Sequence, residues 1–300
     1  GLDSLGAVEL RNLLQQAVGD AAALPSTLVF DHPTARQIAT FLTPSGEASV
    51  AAPVAAARSS MAGVFGDGAV SLTGTSSLLP GSVRTTLTAW HMAASGCDTI
   101  GEVPISRWDA AALPATCDAL SLLRRRHGGF VVGAELFAHV AFGVSVSEAS
   151  AMDPQQRLLL ERGYDALHAG GMDRASLVGR LAGVFLGIAS TDYAQVLAAS
   201  PAGGSVYAAT GSSLSIASGR LSYVLGLQGP CASYATACSA ALVASHAARR
   251  ALQLGECVSG VALGVNLMLM PSVGTSFAVT GMTSPTGRCH TFDRLADGYA

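Results

Sequence analysis

The apolar positions divide the chain into three stretches with different periods. Over residues 1–42, Leu5, Val8, Leu13, Leu14 and Val18 approximate one helical stripe, and Gly19 supplies a stop. Pro25 then marks a loop. Asp31-His32-Pro33-Thr34 opens a second helix, with Thr34 as its N-cap ahead of Ile38, Phe41 and Leu42. Residues 43–68 are Ala, Gly, Ser and Pro with scattered polar groups and no sustained period, which is the composition of a linker. From residue 69 onward strand-like and helix-like runs alternate, the pattern of an α/β domain. The predicted strands are 69–73, 181–188, 231–235 and 260–266; the predicted helices are 83–94, 154–169, 213–221 and 239–254. The run after Ser239 is small and apolar on nearly every side, as in a helix enclosed by a core.

Composition sharpens this picture. Half of the 300 residues are hydrophobic and only 12% are charged, against roughly 25% in ordinary soluble domains. Such a chain expects a deeply packed α/β core, or surface hidden in an assembly. All 17 basic residues are Arg and the net charge is −3, which argues against a nucleic-acid partner. The six cysteines, at 97, 117, 231, 238, 257 and 289, form neither a Cys-x-x-Cys pair nor a Cys/His ligand spacing. Neither zinc nor a redox dithiol is indicated, and scattered thiols fit a reducing compartment, the cytoplasm. The longest apolar stretch, 261–270, is far short of the roughly 20 residues that a membrane span requires. The chain starts in mid-motif without a methionine or a signal-like segment, and so reads as a piece of something longer.

Two side chains stand out as candidate chemistry. In Gly1-Leu2-Asp3-Ser4-Leu5 a serine follows an acidic residue at a helix start. Its hydroxyl is either an ordinary N-cap or the acceptor of a flexible arm, and spacing alone leaves both open. Cys238 lies in Ala235-Thr236-Ala237-Cys238-Ser239-Ala240, between a predicted strand and a predicted helix, with the turn-rich Gly226-Leu227-Gln228-Gly229-Pro230 ahead of the strand. Strand, tight turn, nucleophile and helix form an elbow that recurs in other nucleophile families with different local sequences. A helix N-terminus offers free N–H groups and the positive end of the dipole, both of which favour thiolate, and small neighbours leave room at sulfur. A lone cysteine among alanines is also, and more commonly, an inert core residue. His246, eight residues along, lies about 12 Å away at helical rise, beyond the roughly 3 Å reach of a base. His290, after Arg288-Cys289, reads as a surface loop residue.

Wider runs carry a resemblance. Asp3-Ser4-Leu5 with Ala7-Val8-Glu9-Leu10-Arg11-Asn12, then Leu28-Val29-Phe30-Asp31-His32-Pro33-Thr34, resembles the later part of the acyl carrier protein domains of type I polyketide synthases. Downstream, Gly101-Glu102-Val103-Pro104 with Arg107-Trp108-Asp109, Gly128-Gly129-Phe130, Met152-Asp153-Pro154-Gln155-Gln156-Arg157 and Gly183-Val184-Phe185-Leu186-Gly187-Ile188 follow in order. Then come Ser218-Gly219-Arg220-Leu221-Ser222-Tyr223, Thr236-Ala237-Cys238-Ser239, Gly264-Val265-Asn266-Leu267, Ser284-Pro285, Phe292-Asp293 and Asp297-Gly298-Tyr299. In this order they resemble the first part of a polyketide-type β-ketoacyl synthase, a member of the thiolase-like superfamily.

The resemblance implies an α/β thiolase-like ketosynthase fold, incomplete at its end and preceded by a partial all-α carrier bundle. The implied division is a partial carrier over 1–42, a linker over 43–68 and the N-terminal part of a ketosynthase over 69–300. It implies 4′-phosphopantetheine carried covalently on Ser4, and Cys238 as the nucleophile that accepts an acyl chain before condensation with a decarboxylated malonyl-type extender. Implied partners are acyl and malonyl-type thioesters on carrier domains, other domains of the same synthase and a second copy in a homodimer, with no nucleic acid and no membrane span. The family's two catalytic histidines and the glycine-rich loop completing its oxyanion hole fall past residue 300, so no residue here takes those roles. Ser77, Leu78 and Leu79 stand where the family usually shows Cys, Arg and Phe, and His290 where Lys is common. A ketosynthase-like module that gates chains without elongating them, and a dimerisation scaffold with an unreactive Cys238, are the alternative functions.

Overall fold

The computed structural model describes residues 4–19, 24–25, 28, 32, 34–42, 69–109 and 118–300. The predicted linker 43–68 and Gly1-Leu2-Asp3 lie outside these residues. The chain falls into two units, Gly1–Asp67 and Gly68–Ala300. Below, only helices of eight residues or more are labelled.

In the first unit, α1 (Ser4–Val18) ends at Gly19 in the left-handed region (φ 70), as the stop predicted there requires. α2 (Ala35–Leu42) begins behind a reciprocal cap. The Gln37 N–H donates to Thr34 Oγ1 at 3.2 Å, and the Thr34 N–H donates back to Gln37 Oε1 at 3.1 Å. Ile38 is buried, but Phe41, placed in the same stripe, is exposed. Its ring lies against that of His32, centroids 4.8 Å apart, instead of in a core.

The second unit holds a short antiparallel ribbon of β1 (Ile100–Glu102) and β2 (His127–Gly129), and a parallel sheet of β3 (Ala182–Gly187), β4 (Cys231–Tyr234) and β5 (Ser259–Gly264) in the order β4-β3-β5. Central β3 is buried at all six positions, as a parallel strand covered on both faces must be. Alternate residues of β3 serve opposite layers. Val184 joins Leu160 of α4 (Pro154–Ala169) and Leu221 and Leu225 of α5 (Leu214–Leu225) in one cluster. Phe185 packs on the other side with Ala244, Ala248 and Ala251 of α6 (Ala240–Leu254) and with Cys257. Helices thus sandwich the sheet. Helix α7 (Pro271–Val279) follows it. No helix among the described residues is long and apolar enough to cross a membrane.

Several predicted bounds shift, each for a local reason. α4 keeps its predicted ends, because the Asp153 carboxylate caps it at Gln155 N (2.7 Å) and Pro154 occupies its first turn. α3 (Thr86–Ala94) starts three residues late: Thr85 and Thr88 form a capping box, while Val83 bridges Leu79 instead. α5 runs on to Leu225, which is buried, before Gly226 (φ 68) stops it. The strand predicted at 69–73 does not form. Gly74 approaches the last turn of α4 so closely that a Cβ there would lie 2.2 Å from Ala166 O, which draws the segment onto the helix and away from the sheet. The predicted enclosure of α6 is also not found. Its alanines at 240, 244, 248 and 251 are buried against one side, whereas Leu242 is 74% exposed. Small residues here serve close approach to the sheet.

Candidate active site around Cys238

The sheet builds the site at the C-terminal ends of its strands. Gly187 and Gly264 are register partners at the ends of β3 and β5. A Cβ on Gly187 would meet Ala241 N at 2.4 Å, and one on Gly264 would meet the Ala241 Cβ at 2.7 Å. Only glycine at both positions lets the start of α6 sit directly on the strand ends. Ahead of α6 the chain makes a single 3₁₀ turn, Ala237–Ser239. Cys238 is therefore in this turn and not in the first turn of the helix itself, a small correction to the predicted placement.

The turn is held tightly. Ser239 N donates to Thr236 O at 3.2 Å, Ser239 Oγ donates to Thr236 O at 2.8 Å, and the Ala240 N–H donates to Ala237 O. Among the described residues, Cys238 N–H has no such acceptor. Ala237 adopts φ 52, in the left-handed region where its Cβ costs about 1–2 kcal/mol. The geometry leaves the Cys238 thiol exposed next to a free amide donor. A thiolate attacking a carbonyl generates an oxyanion, and an unused N–H at the nucleophile is a ready donor to it. Cys257 makes the contrast: it is buried in the α6 cluster, and burial pushes its thiol up, which suits an inert core residue.

An aromatic residue that sequence reasoning treated only as a motif position, Tyr299, interacts electrostatically with Cys238. Its phenol is pushed up, chiefly by burial and then by its electrostatic interaction with Cys238. Its ring stands 6.5 Å from that of Phe277 on α7. Gly298 (φ 143) makes the crossing possible, since a Cβ there would lie 2.5 Å from the Thr283 carbonyl carbon. Tyr299 then bridges Thr283, donating its N–H to Met282 O (3.0 Å) and accepting at its own carbonyl from Ser284 N (2.8 Å). Two charged residues tie this segment down. Asp192, buried, accepts at Oδ2 from the N–H groups of Leu269 (2.7 Å) and Met270 (3.0 Å) just before α7. Arg124 donates from Nη1 to the carbonyls of Gly281 (3.2 Å), Thr283 and Asp297 (2.8 Å). Neither residue carried a local signal, because both act across long sequence separations.

The other predicted residues fall elsewhere. Ser4 is the first residue of α1. His246, on α6, and His290 are exposed, and neither histidine is joined to Cys238 by a hydrogen bond among the described residues.

Comparison with known proteins follows the same residues. Residues 67–300 match the family model described as the N-terminal domain of β-ketoacyl synthase, and residues 1–42 the model described as a phosphopantetheine attachment site. The chain is 42% identical over 300 residues to the polyketide synthase GfsB of Streptomyces halstedii, with 99% of this chain and 5% of that protein covered. It is 41% identical over 303 residues to the pikromycin polyketide synthase component PikAII of Streptomyces venezuelae, covering 100% of this chain and 8% of that protein. The chain thus spans less than a tenth of these relatives. Among solved structures it is similar to a ketosynthase from module 6 of the bacillaene synthase of Bacillus subtilis, with TM-score 0.68 and 33% identity over 76% of this chain and 37% of the other. An oxazolomycin ketosynthase domain from Streptomyces albus gives TM-score 0.66 and 31% identity over 76% and 40%.

Proposed function

The chain belongs to the β-ketoacyl synthases, set behind a phosphopantetheine attachment site as in type I polyketide synthases, and from that premise we propose that Cys238 is its acyl-accepting nucleophile. Its fold is the α/β, thiolase-like fold of ketosynthase domains. We further propose the division into a partial carrier over 1–42, a linker over 43–68 and the first part of a ketosynthase over 69–300, with Ser4 as the attachment residue. The observation that carries the reading is the exposed thiol on a turn held by Gly187 and Gly264, with Ala237 left-handed and the Cys238 amide free.

In the loading step Cys238 Sγ, as thiolate, attacks the carbonyl carbon of an acyl thioester. Charge moves onto the carbonyl oxygen, to which the Cys238 N–H donates. The C=O then re-forms, the carrier sulfur leaves, and it takes up the proton that the cysteine gave up. One thioester replaces another, so the step is nearly balanced and depends on nucleophile and oxyanion donor. The second stage is a decarboxylative Claisen condensation. A malonyl-type extender thioester loses CO₂ to give an enolate, whose carbon attacks the acyl-Cys238 carbonyl, forms the C–C bond and expels the cysteine thiolate. When bound to Ser4, phosphopantetheine supplies a long flexible arm ending in a thiol on which acyl groups are carried. Partners in this reading are carrier-borne thioesters, neighbouring domains of one cytoplasmic polypeptide and a second copy of the ketosynthase.

Intact and peptide mass spectrometry of the full-length polypeptide tests the reading. After incubation with an N-acetylcysteamine acyl thioester, Cys238 carries the adduct and the Cys238→Ala variant carries none. Labelling confined to other cysteines, such as Cys97, Cys231 and Cys289, which are exposed among the described residues, would sink it.

A further inference from the structure

Cys238 sits inside a turn, Thr236 to Ser239, that is closed twice onto one carbonyl. The Ser239 N–H reaches Thr236 O at 3.2 Å, the long end of the usual range, whereas Ser239 Oγ donates to the same oxygen at 2.8 Å. Thr236 Oγ1 stands 3.0 Å from Ser239 Oγ. Resting on the loading role of Cys238, we propose that Ser239 is a positioning residue for acyl loading. Its hydroxyl, latched onto the Thr236 carbonyl, holds the turn in the form that keeps the Cys238 N–H free for the oxyanion.

A serine here has an obvious other use, and the geometry excludes it. Ser239 stands at the N-cap of α6, where a side-chain oxygen ordinarily accepts from the N–H groups of the first helical turn. Its backbone is helical instead (φ −92, ψ −2), and its side chain makes no cap bond. The hydroxyl turns back from the helix it opens to Thr236, on the far side of the nucleophile. What it governs there is the peptide between Ala237 and Cys238. The turn has a positive φ at its second residue, Ala237 (φ 52), and not at its third, which is the type II′ pattern. Turn types that share one closure differ chiefly in the direction of this middle peptide. The peptide is planar and trans, so the Ala237 carbonyl and the Cys238 N–H point opposite ways. The Ala240 N–H takes the carbonyl. The Cys238 N–H therefore faces away from that donor, and among the described residues it meets no acceptor. The Cβ of Ala237 resists this form, and the long backbone bond is a weak counterweight to it. The shorter Oγ bond supplies the rest of the closure.

The test compares two reactions of Cys238 in the full-length polypeptide. Acylation by an N-acetylcysteamine acyl thioester places charge on a carbonyl oxygen and so needs the amide donor. Alkylation by iodoacetamide displaces iodide from a saturated carbon, forms no oxyanion and needs only the thiolate. Ser239→Ala is expected to acylate about tenfold to a hundredfold more slowly, the range for a misaimed oxyanion donor, and to alkylate as the wild type does. Ser239→Thr keeps the hydroxyl and recovers most of the loss. Thr236→Val keeps the carbonyl that the latch uses and acylates close to the wild-type rate. Ser239→Thr and Thr236→Val keep the test decisive if Ser239→Ala fails to fold, because loss of acylation in either one contradicts a latch between hydroxyl and carbonyl. A parallel fall of acylation and alkylation in Ser239→Ala, or lowered stability in urea with wild-type acylation, would each overturn the proposal in favour of a purely structural serine. A wild-type protein that never loads at Cys238 would overturn the nucleophile assignment and this proposal together, whereas normal loading with an unaffected Ser239→Ala removes only the role of Ser239.

Discussion

Asp153, Gln155 and Gln156, at the start of α4, and Thr236 to Ser239, at the start of α6, both open a helix beside the same sheet, and both runs stand out in the sequence. Their physics is opposite. The α4 group has almost no accessible surface: Gln155 is 0% exposed, Gln156 2% and Asp153 3%. Its polar atoms are spent on the fold. Gln155 Oε1 accepts from Leu267 N (3.1 Å), and its Nε2 donates to Asp153 Oδ2 (3.2 Å). Gln156 Nε2 donates to Thr210 O and Ser213 O, both at 3.1 Å, while its Oε1 accepts from Arg220 Nε at 2.9 Å. Arg220 continues into an ion pair with Glu148. The α6 group keeps an exposed thiol, a free amide and a left-handed alanine. A conspicuous run thus does not separate chemistry from scaffold. Satisfied burial marks the scaffold, and exposed, strained, unspent groups mark the site.

The largest expected effect comes where the two regions share support. Gly187→Ala would place a Cβ 2.4 Å from Ala241 N and 2.5 Å from the Ala240 carbonyl carbon, both backbone atoms that cannot swing aside. A loss of about 3 kcal/mol is expected, at the upper end for overpacking. Urea unfolding measures it, and the fraction that still folds should load Cys238 poorly because α6 has lifted from the strand ends. A variant with wild-type stability and loading would show that the glycine pair does not seat the turn.

Gln156→Leu separates the regions. It removes the donor to Thr210 O and Ser213 O and the acceptor for Arg220 Nε, leaving buried polar groups unpaired. A loss of about 2 kcal/mol is expected, yet acylation of Cys238 per folded molecule should be unchanged. If loading falls while stability holds, the hub is part of the site and the contrast fails.

How much of this was legible in sequence follows the range of the interactions. α4 was placed at its true ends because its cap, Asp153-Pro154, is local chemistry. The Cys238 elbow was legible for the same reason, from a strand, a turn and small residues within a dozen positions. The segment 69–73 was misread because apolar alternation does not reveal whether a strand finds a ladder partner. The one-sided burial of α6 was missed because its alanines pack as closely as an enclosed helix would, and composition does not say how many neighbours share them. The long-range ties made by Arg124 and Asp192 could not be found: the Arg124 to Asp297 bond joins residues 173 apart in sequence. The positive φ of Ala237 had no signal either, since nothing in the sequence of an alanine announces it.

A smaller effect concerns pH. Burial raises the Asp153 carboxyl above the ordinary aspartate value, with Asp192 adding to the rise and the bonds from Gln155 opposing it. A raised folded value means that the unfolded chain ionises first as pH rises. The contribution of Asp153 is therefore fully present below the unfolded pKa and is lost as pH rises through the folded one. Asp153→Asn still caps α4. It should leave stability at neutral pH within about 1 kcal/mol while removing that slope in the acid range, as thermal melts across the acid range would reveal. An unchanged slope would move the titration to another group.

The smallest expected effect bears most directly on the contrast. Ala237 holds φ 52 at a cost of about 1–2 kcal/mol. Glycine relieves this but brings about 0.4–1 kcal/mol of extra unfolded-state freedom. Ala237→Gly should accordingly stabilise by about 0.8 kcal/mol, the difference between the middles of these two ranges. If the strained alanine helps fix the sulfur, the looser turn should also acylate about twofold more slowly, because a site held less firmly spends less time in the attacking geometry. Gel-based rate measurement alongside urea melts reads both quantities. A gain in stability with no change in rate would make the strain incidental, and the turn around Cys238 would then differ from the α4 hub in exposure alone. A gain in stability paired with a slower thiol would show strain retained where function is, since a stabler alternative was one methyl group away.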